Sequence, residues 1–397
     1  MSVILHTPPH KICVVTGGRA DYGPLLPLLR CFQESPRIEP TVIAAAMHLS
    51  QEHGMTINRI KKDGFTIGAE VPMLESGEAQ ADVAHAAGRG VAKFADALSN
   101  LAPDAVLVLG DRFEIHAAAM AATLLRLPII HLCGGDITEG AIDDAIRHSI
   151  TKLSHLHFVT NPASADRVRQ MGEDPSRVHV TGATSIDFIK SFDFLPRDEI
   201  EKRLEFKLLA RNLLVTFHPV TLNDDNGLRE LDEVLAALSK LPDDTAIIFT
   251  SPNADAGGGA FRDRIEAFVA GEKNLMSRDS LGQTLYFSLL RAADVVVGNS
   301  SSGLSEAPSV NTVCVNIGRR QAGRLHGQST INCKADRGSI GAALTRALGD
   351  EEFDFQNPYG DGGASAKIVE VIESINDFKP FVQKKFFDQS VMEPDAA

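Results

Sequence analysis

Short runs of apolar residues, rich in Val and Ile, recur along the first half of the chain and alternate with longer segments of helical periodicity. The runs are continuously apolar rather than alternating, which is typical of strands buried on both faces of a parallel sheet. The longer segments carry apolar residues three and four positions apart, as amphipathic helices do. This pattern predicts strands at 11–16, 39–46, 105–110, 129–133, 156–160 and 178–181, and helices at 22–32, 79–100, 113–126 and 142–153.

The pattern weakens near residues 192–197 and then resumes, with strands predicted at 212–217, 245–250, 294–298 and 312–317. A length of 397 residues corresponds to about two to three domains. We therefore predict an α/β protein with two doubly wound, Rossmann-like domains at 1–192 and 193–376, a C-terminal tail at 377–397, and a cleft between the domains. Ligands of such domains bind at the carboxyl ends of the strands, so the loops there are where chemistry is expected.

Composition narrows the class of protein. Apolar residues make up 44% of the chain and charged residues 23%, as in ordinary globular proteins. The 39 basic against 52 acidic residues give a net charge of −13, which disfavours binding to nucleic acid or to an anionic membrane. The first residues lack the pattern of a secretory signal, and the five cysteines form no CxxC pair, so we expect a cytoplasmic protein with reduced thiols.

Two loops of the first half carry candidate chemistry. The segment TGGRADYG follows the first strand, and its glycines would let the backbone approach a ligand, although neither GxGxxG nor GxxxxGK[ST] is present. Arg19 either binds an anion there, or Arg19 and Asp21 pair with each other or cap the helix. In GDRFE, Asp111 is either a helix N-cap or an acid of the site. Arg112 opposes the helix dipole in a first turn, which favours an anionic partner.

The segment HLCGGDITEGAIDDAIRH adds further acids. Asp136 and Asp143 could form a carboxylate set with Asp111, in which each acid raises the pKa of the others and suits them to acid–base catalysis. The alternative is that the acids at this helix start complement its dipole and form exposed ion pairs with Arg147 and His148 one turn later.

The second half contributes the loops FHPVT, SPNADAGG, GNSSSGLSE and GRRQAGR. The hydroxyl and N–H groups of Ser300–Ser302 suit a diphosphate, and Glu306 one turn later suits ribose hydroxyls; the alternative is an ordinary Ser N-cap with a capping-box acid. The arginines at 319–324 are either a phosphate clamp or a solvated turn. Paired histidines at 155 and 157 are expected to be structural, and we predict no metal site.

Together these motifs, from about residue 11 to about residue 375, resemble the hydrolysing UDP-N-acetylglucosamine 2-epimerases, including bacterial members of sialic- and legionaminic-acid pathways. The resemblance implies a glycosyltransferase-B-like fold, a nucleotide-sugar substrate and no cofactor. It implies release of a free N-acetylmannosamine-type sugar and a nucleoside diphosphate through a 2-acetamidoglycal. It also implies a homodimer or homotetramer.

Carried onto this chain, the resemblance implies catalytic roles for Asp111 and Asp143, with Arg112 beside them. The residues implied to bind the nucleoside diphosphate are Arg19, His218, Asn253, Ser300, Ser301, Glu306 and Arg320.

One position departs from the family pattern. Several members have a catalytic Glu where this chain has Cys133, so we expect Asp136 to supply the second acid, with Glu139 in reserve.

Three alternatives stay open: a non-hydrolysing 2-epimerase, a glycosyltransferase of the same fold, and a non-catalytic nucleotide-sugar-binding protein. The motifs leave open the choice between UDP and GDP, and between N-acetylglucosamine and a 2,4-diacetamido or 6-deoxy relative.

Overall fold

The computed structural model describes residues 8–75, 80–139, 142–219, 227–250, 258–278 and 281–388. The chain divides into two compact units. The first comprises residues up to 136, residues 142–188 and the chain from 362 onward. The second comprises residues 137–141 and 189–361.

The first unit is built on a parallel sheet, to which the described residues contribute seven strands in the order β3-β2-β1-β4-β5-β6-β7. Its central strands are buried on both faces, as their continuous apolar runs predict. The strands are β1 (His10–Thr16), β2 (Ile38–Ala45), β3 (Ile67–Val71), β4 (Ala105–Leu109), β5 (Ile129–Leu132), β6 (Leu156–Val159) and β7 (Val178–Val180). The helices between them are α1 (Arg19–Glu34), α2 (Ile57–Lys62), α3 (Gln80–Leu101), α4 (Phe113–Leu124), α5 (Ile142–Leu153), α6 (Pro162–Gln170) and α7 (Thr184–Lys190).

The second unit repeats this plan with a described parallel sheet of six strands in the order β10-β9-β8-β11-β12-β13. On one face of the sheet, apolar side chains of the strands and of the helices that cover them form a buried core. The strands are β8 (Arg211–Thr216), β9 (Thr245–Thr250), β10 (Leu275–Arg278), β11 (Val295–Gly298), β12 (Val313–Ile317) and β13 (Thr330–Cys333). The helices are α8 (Arg197–Leu204), α9 (Leu228–Leu238), α10 (Gly258–Val269), α11 (Gly282–Ala292), α12 (Ser302–Ser305) and α13 (Arg337–Ala347).

The predicted fold class of two doubly wound, Rossmann-like domains is confirmed, and each predicted strand is present within one residue at either end. Three strands were missed: β3, β10 and β13. All three lie at a sheet edge, and β3 alternates between partly buried and exposed residues. An edge strand has one neighbour and a partly solvated face, so it needs no continuous apolar run.

The boundaries of the units differ from the predicted domains at the C-terminus. Helix α14 (Ala364–Ser374) packs against α1 in the first unit, and the Ser35 hydroxyl donates a hydrogen bond to Glu373 Oε1 at 2.5 Å. Phe378 is buried in the same unit. The chain from 362 therefore completes the first unit, because its apolar face is buried there, whereas the prediction assigned residues up to 376 to the second domain.

Two further observations concern membrane-spanning helices and disulfides. Across the described ranges, no helix combines the length and the apolar character that crossing a bilayer requires. None of the five cysteines forms a disulfide.

A buried carboxylate anchors the C-terminal segment to the first unit. The side chain of Glu173 is 3% exposed and accepts from Lys152 Nζ at 2.6 Å, Lys384 Nζ at 2.7 Å and His157 Nε2 at 3.0 Å. Lys384 also donates to the carbonyl oxygens of Lys152 and Ser154, both at 2.7 Å. Burial alone would raise the pKa of Glu173, but the three hydrogen bonds outweigh it and hold the pKa at about 2.

We expect Glu173→Gln to lower the free energy of unfolding at pH 7 by about 3 kcal/mol, since the pKa is depressed in the folded state. This stabilisation is present above the unfolded pKa near 4.5 and is lost as the pH falls towards the folded value of about 2. Urea unfolding of both proteins between pH 7 and 3 measures it, and the difference should shrink below about pH 4.5.

Asp244→Asn is the matched control, because Asp244 forms an exposed ion pair with Arg211 and should cost less than about 1 kcal/mol. A pH-independent deficit of Glu173→Gln would contradict the ionic explanation.

Candidate functional site

In each sheet the strand order reverses at one point, between β1 and β4 in the first unit and between β8 and β11 in the second. Ligands of doubly wound sheets bind outside the carboxyl ends of the strands at such a switch point. The loops after these four strands carry TGGR, GDRFE, FHP and GNSSS. Four of the motifs that the sequence singled out therefore lie at the two switch points.

The glycine turn after β1 is closed by its own helix. The Asp21 carboxylate accepts from the N–H groups of Gly17 at 2.7 Å and Gly18 at 2.9 Å, and Asp21 is 4% exposed. Asp21 is thus a helix cap, one of the alternatives that the sequence left open. These two N–H groups are already used within the loop. Arg19 is the first residue of α1, and it is exposed.

The first turn of α4, directly after the loop that follows β4, contains a buried acid that was not among the predicted site residues. Glu114 is fully buried, and its Oε1 accepts from Arg112 Nε at 2.6 Å. Burial raises the pKa of Glu114, and the charge of Arg112 opposes that rise. A Cβ on Gly17 would lie 2.4 Å from Glu114 Cγ, so the glycine makes room for the acid. The only sequence signal was one acid in an apolar, Ala-rich helix.

Arg112 is the N-cap residue of α4, and it is surrounded by acids. Its pKa is raised by Glu114 above all, and further by Asp21 and Asp143, against the effect of burial. This explains why a cation tolerates the unfavourable end of the helix dipole.

Arg147 connects two of the predicted acids. Its side chain is 3% exposed, forms an ion pair with the Asp111 carboxylate and donates from Nη1 to the carbonyl oxygen of Asp136 at 2.7 Å. Asp111 is therefore not the N-cap of α4, and Arg147 does not form the exposed pair with Asp143 that one alternative proposed. The other pair of that alternative is present, with His148 Nε2 3.5 Å from Asp144.

The other two acids have contrasting surroundings. Asp136 Oδ1 accepts from the Thr160 hydroxyl at 2.8 Å, from the Ser164 hydroxyl at 2.6 Å and, at 3.5 Å, from Asn161 Nδ2. Asp143 lies in the first turn of α5 and is half-buried. Within the described ranges, its carboxylate has no hydrogen-bond or ion-pair partner.

The chain between β5 and Asp136 turns sharply. Cys133 has a φ of 64°, a left-handed conformation that few residues other than glycine adopt, and its N–H donates to the carbonyl of Phe158 at 2.9 Å. His131 is fully buried beside it and hydrogen-bonds through Nε2 to the carbonyl of Gly110 at 2.9 Å. Burial lowers the pKa of His131 to about 3, so this imidazole is neutral.

In the second unit, Asn299 joins the loops at the switch point. It is fully buried; its Oδ1 accepts from the His218 N–H at 2.7 Å and its Nδ2 donates to the His218 carbonyl at 2.9 Å. Its own carbonyl accepts from Arg320 Nη1 at 3.1 Å and Gln321 Nε2 at 2.9 Å. Asn299 was not among the predicted site residues, although its position directly after β11 was a usable signal.

The predicted ligand residue His218 is 6% exposed. Burial, assisted by the positive charge of Arg320, lowers the pKa of His218 to about 3. The imidazole is therefore neutral and can offer a hydrogen bond but no charge.

The serine-rich loop divides its hydroxyl groups between two tasks. Ser301 is the N-cap of α12, a helix of four residues, and makes no side-chain cap hydrogen bond. The Ser300 hydroxyl oxygen accepts from the Ser302 N–H at 3.4 Å. The Ser302 hydroxyl donates to Glu306 Oε2 and accepts from the Tyr286 hydroxyl at 2.7 Å. Burial raises the pKa of Glu306.

The arginines at 319–324 diverge rather than form one clamp. Arg319 is exposed, Arg320 binds the Asn299 carbonyl, and Arg324 Nη2 donates to the Thr138 hydroxyl at 2.9 Å. Only Arg320 of the three contacts the switch-point loops. The predicted ligand Asn253 and its loop lie outside the described residues.

Among the residues that the structure describes, no group of three His, Cys, Asp or Glu side chains could hold a metal ion.

A protein family and several known proteins resemble this chain over most of its length. A family model described as UDP-N-acetylglucosamine 2-epimerase matches residues 30–373. A GDP/UDP-N,N'-diacetylbacillosamine 2-epimerase (hydrolyzing) from Campylobacter jejuni is 39% identical, over 81% of this chain and 84% of its own. A UDP-N,N'-diacetylbacillosamine 2-epimerase (hydrolyzing) from Legionella pneumophila is 34% identical, over 92% and 96%.

Among solved structures, the UDP-GlcNAc 2-epimerase from Neisseria meningitidis, bound to UDP-GlcNAc, superposes with a TM-score of 0.77 at 19% identity. The match covers 91% of this chain and 99% of that one. At this identity the likeness concerns the fold, and it extends over both units.

We expect Gly17→Ala to lower the free energy of unfolding by about 1–3 kcal/mol, because the added Cβ would overlap the buried Glu114. In a Glu114→Ala background the same substitution should cost less than about 1 kcal/mol, since the obstacle is gone. Urea unfolding of the four proteins measures both values.

Gly18→Ala serves as the control, because its Cβ would meet the flexible end of Met47. An equal cost of Gly17→Ala in both backgrounds would show that Glu114 is not the obstacle.

Proposed function

Because this chain belongs to the UDP-N-acetylglucosamine 2-epimerase family, we propose that it catalyses the hydrolysing 2-epimerisation of a nucleotide-activated N-acetylglucosamine-type sugar. The products are the free N-acetylmannosamine-type sugar and a nucleoside diphosphate. The observation that carries the proposal is the combination of this family with Asp111 at one switch point and Arg320 at the other.

The names of two relatives favour one substrate class. Both proteins, at 39% and 34% identity, are named for N,N'-diacetylbacillosamine, a 2,4-diacetamido-2,4,6-trideoxy sugar. We propose the nucleotide-activated form of such a sugar as the substrate, before UDP-N-acetylglucosamine itself. One of these names includes GDP beside UDP, so both nucleotides belong in the test.

We assign the nucleoside diphosphate to the second unit. Arg320 supplies positive charge at the switch point, and the Ser300 hydroxyl, whose oxygen accepts from a backbone N–H, keeps its own proton for a phosphate oxygen. His218 contributes a neutral hydrogen bond, since its pKa is about 3. Stabilising the leaving diphosphate in this way needs no metal ion. Asn253 and Ser301 stay assigned by resemblance, as does Arg19, which is the one contribution from the first unit.

We assign proton transfer to the acids of the first unit. Asp143 is the acid whose carboxylate lacks a partner among the described residues, and it is half-buried close enough to Arg112 to raise the pKa of that arginine. It is our choice for the base that acts at C2. Asp111, paired with Arg147, and Asp136, held by two hydroxyls, are the acids for returning a proton and orienting the sugar.

The proposed reaction proceeds in two balanced steps. In the first, the base removes the C2 proton while the C1–O bond breaks, and the electron pair leaves with the diphosphate to give a 2-acetamidoglycal. In the second, water adds its hydroxyl to C1 while an acid delivers a proton to C2 from the opposite face. The proton left over from the water replaces the one that the acid gave up, and the base releases the C2 proton to the diphosphate or to solvent, so that both groups are regenerated after one turnover.

Proton NMR in deuterated buffer tests the function directly. We expect the 2-epimerised free sugar, with deuterium at C2, and free diphosphate from UDP-2,4-diacetamido-2,4,6-trideoxyglucose. UDP-N-acetylglucosamine and the GDP form of the sugar identify the preferred substrate by their relative rates. An epimer still attached to its nucleotide would assign the chain to the non-hydrolysing branch. Binding of all three substrates without turnover would contradict the enzyme proposal.

We expect Asp143→Asn to lower kcat by about 10²–10⁴-fold, because the amide cannot accept the C2 proton. Affinity for the product diphosphate should stay within about twofold, since nucleotide binding is assigned to the other unit. Steady-state kinetics and calorimetric titration measure the two effects.

Asp166→Asn is the matched control: this exposed acid of the first unit pairs with Arg169, and its substitution should change kcat by less than about threefold. Full activity of Asp143→Asn would show that another acid is the base.

A further inference from the structure

We propose that Tyr286 is a positioning residue that acts through Ser302 to orient Glu306 towards the ribose hydroxyls, and so sets the preference of the site for a ribonucleotide. The inference rests on the proposed function and on the expectation from the sequence that Glu306 binds the ribose hydroxyls. Tyr286 was not among the predicted site residues, and Ser302 was predicted to serve the diphosphate.

The hydrogen-bond chain has a single direction. The Tyr286 hydroxyl donates to Ser302 Oγ at 2.7 Å, and the Ser302 hydroxyl donates to Glu306 Oε2. A serine hydroxyl has one proton, so Ser302 has none left for a phosphate. The chain therefore divides the serine loop: the Ser300 hydroxyl proton is available for the diphosphate, while Ser302 serves the carboxylate.

The free end of the chain is the second oxygen of Glu306. Among the described residues, no donor binds Glu306 Oε1. This oxygen is also not shielded from solvent, since it is absent from the buried side-chain atoms that lack a partner. It is the oxygen left for a ligand. A carboxylate oxygen accepts hydrogen bonds, and vicinal ribose hydroxyls donate them. Because Oε2 is held by Ser302, the plane of the carboxylate is fixed before the ligand arrives, which reduces the entropy cost of binding.

Tyr286 is suited to this role by its surroundings. It lies on α11, an eleven-residue helix, and its ring contacts Phe287 edge-on at a centroid distance of 5.5 Å. Burial raises the pKa of Tyr286, so the hydroxyl keeps its proton and stays a donor. A rigid helix and a packed ring thus present the hydroxyl at a constant position, which a flexible loop side chain would not.

The test compares nucleotides with and without the ribose hydroxyls. Calorimetric titration measures Kd for UDP and for 2′,3′-dideoxy-UDP, or for the GDP pair if the wild-type protein prefers GDP. We expect the wild-type protein to prefer the ribonucleotide by at least about tenfold, the effect of hydrogen bonds to a charged group. Tyr286→Phe should lower this preference by about three- to tenfold and change the dideoxy Kd by less than about twofold.

A double-mutant cycle separates positioning from simple structural support. Ser302→Ala should abolish most of the preference, and adding Tyr286→Phe to it should change nothing further, because both act through one hydrogen-bond chain. Glu306→Gln sets the lower limit of the preference.

Tyr359→Phe is the matched control, since it removes a buried hydroxyl that donates to the Leu325 carbonyl at 2.9 Å in the same unit. Its ribose preference should equal that of the wild-type protein.

The outcomes distinguish the two proposals. An equal loss of affinity for both nucleotides in Tyr286→Phe, or no change in preference, would overturn the positioning role. A wild-type protein that binds nucleotides without any ribose preference would overturn it too, while leaving the diphosphate site intact. A wild-type protein that binds neither UDP nor GDP would refute the proposed function itself.

Discussion

At both switch points, the structure of the loops depends on a buried polar side chain that lies against the backbone of a neighbouring loop. At one, the amide of Asn299 bonds both the N–H and the carbonyl of His218, and a Cβ on Gly298 would lie 1.9 Å from the Thr216 carbonyl oxygen. At the other, Glu114 fills the space that Gly17 leaves. Breaking the hydrogen bonds of Asn299 would leave buried polar groups without partners, at a cost of about 1–3 kcal/mol each, so the loops that Asn299 joins have little conformational freedom. The site residues are held in place as a consequence.

The three candidate catalytic acids of the first unit are all aspartates, and they differ in the side chains that bind them. Arg147 pairs with Asp111, two hydroxyls bind Asp136, and the carboxylate of Asp143 has no partner among the described residues. A reaction that removes and returns a proton uses carboxyl groups in different roles, and the different partners are what distinguishes these three acids. Arg147 is central to this division, because it contacts the loops after both β4 and β5.

In the second unit, positive charge and hydrogen bonding are supplied by different side chains. His218 is neutral, and the Ser302 hydroxyl is committed to Glu306, so the positive charge at this switch point comes from Arg320. The helix after the serine loop has only four residues, and its dipole is correspondingly small. In the proposed function, recognition of the nucleoside diphosphate therefore relies on this guanidinium group and on hydroxyls with assigned directions.

The sequence by itself determined the two doubly wound domains, the central strands and the loops that carry the chemistry, because buried parallel strands and glycine-rich turns have local signatures. It could not determine the edge strands, whose half-solvated residues carry no such signature. Nor could it determine the roles of Arg147, Asn299 and Tyr286. Each acts on a residue that is distant in sequence or belongs to another loop, and only the folded chain brings those partners within hydrogen-bonding distance. The return of α14 to the first unit was decided in the same way, by a tertiary contact with α1.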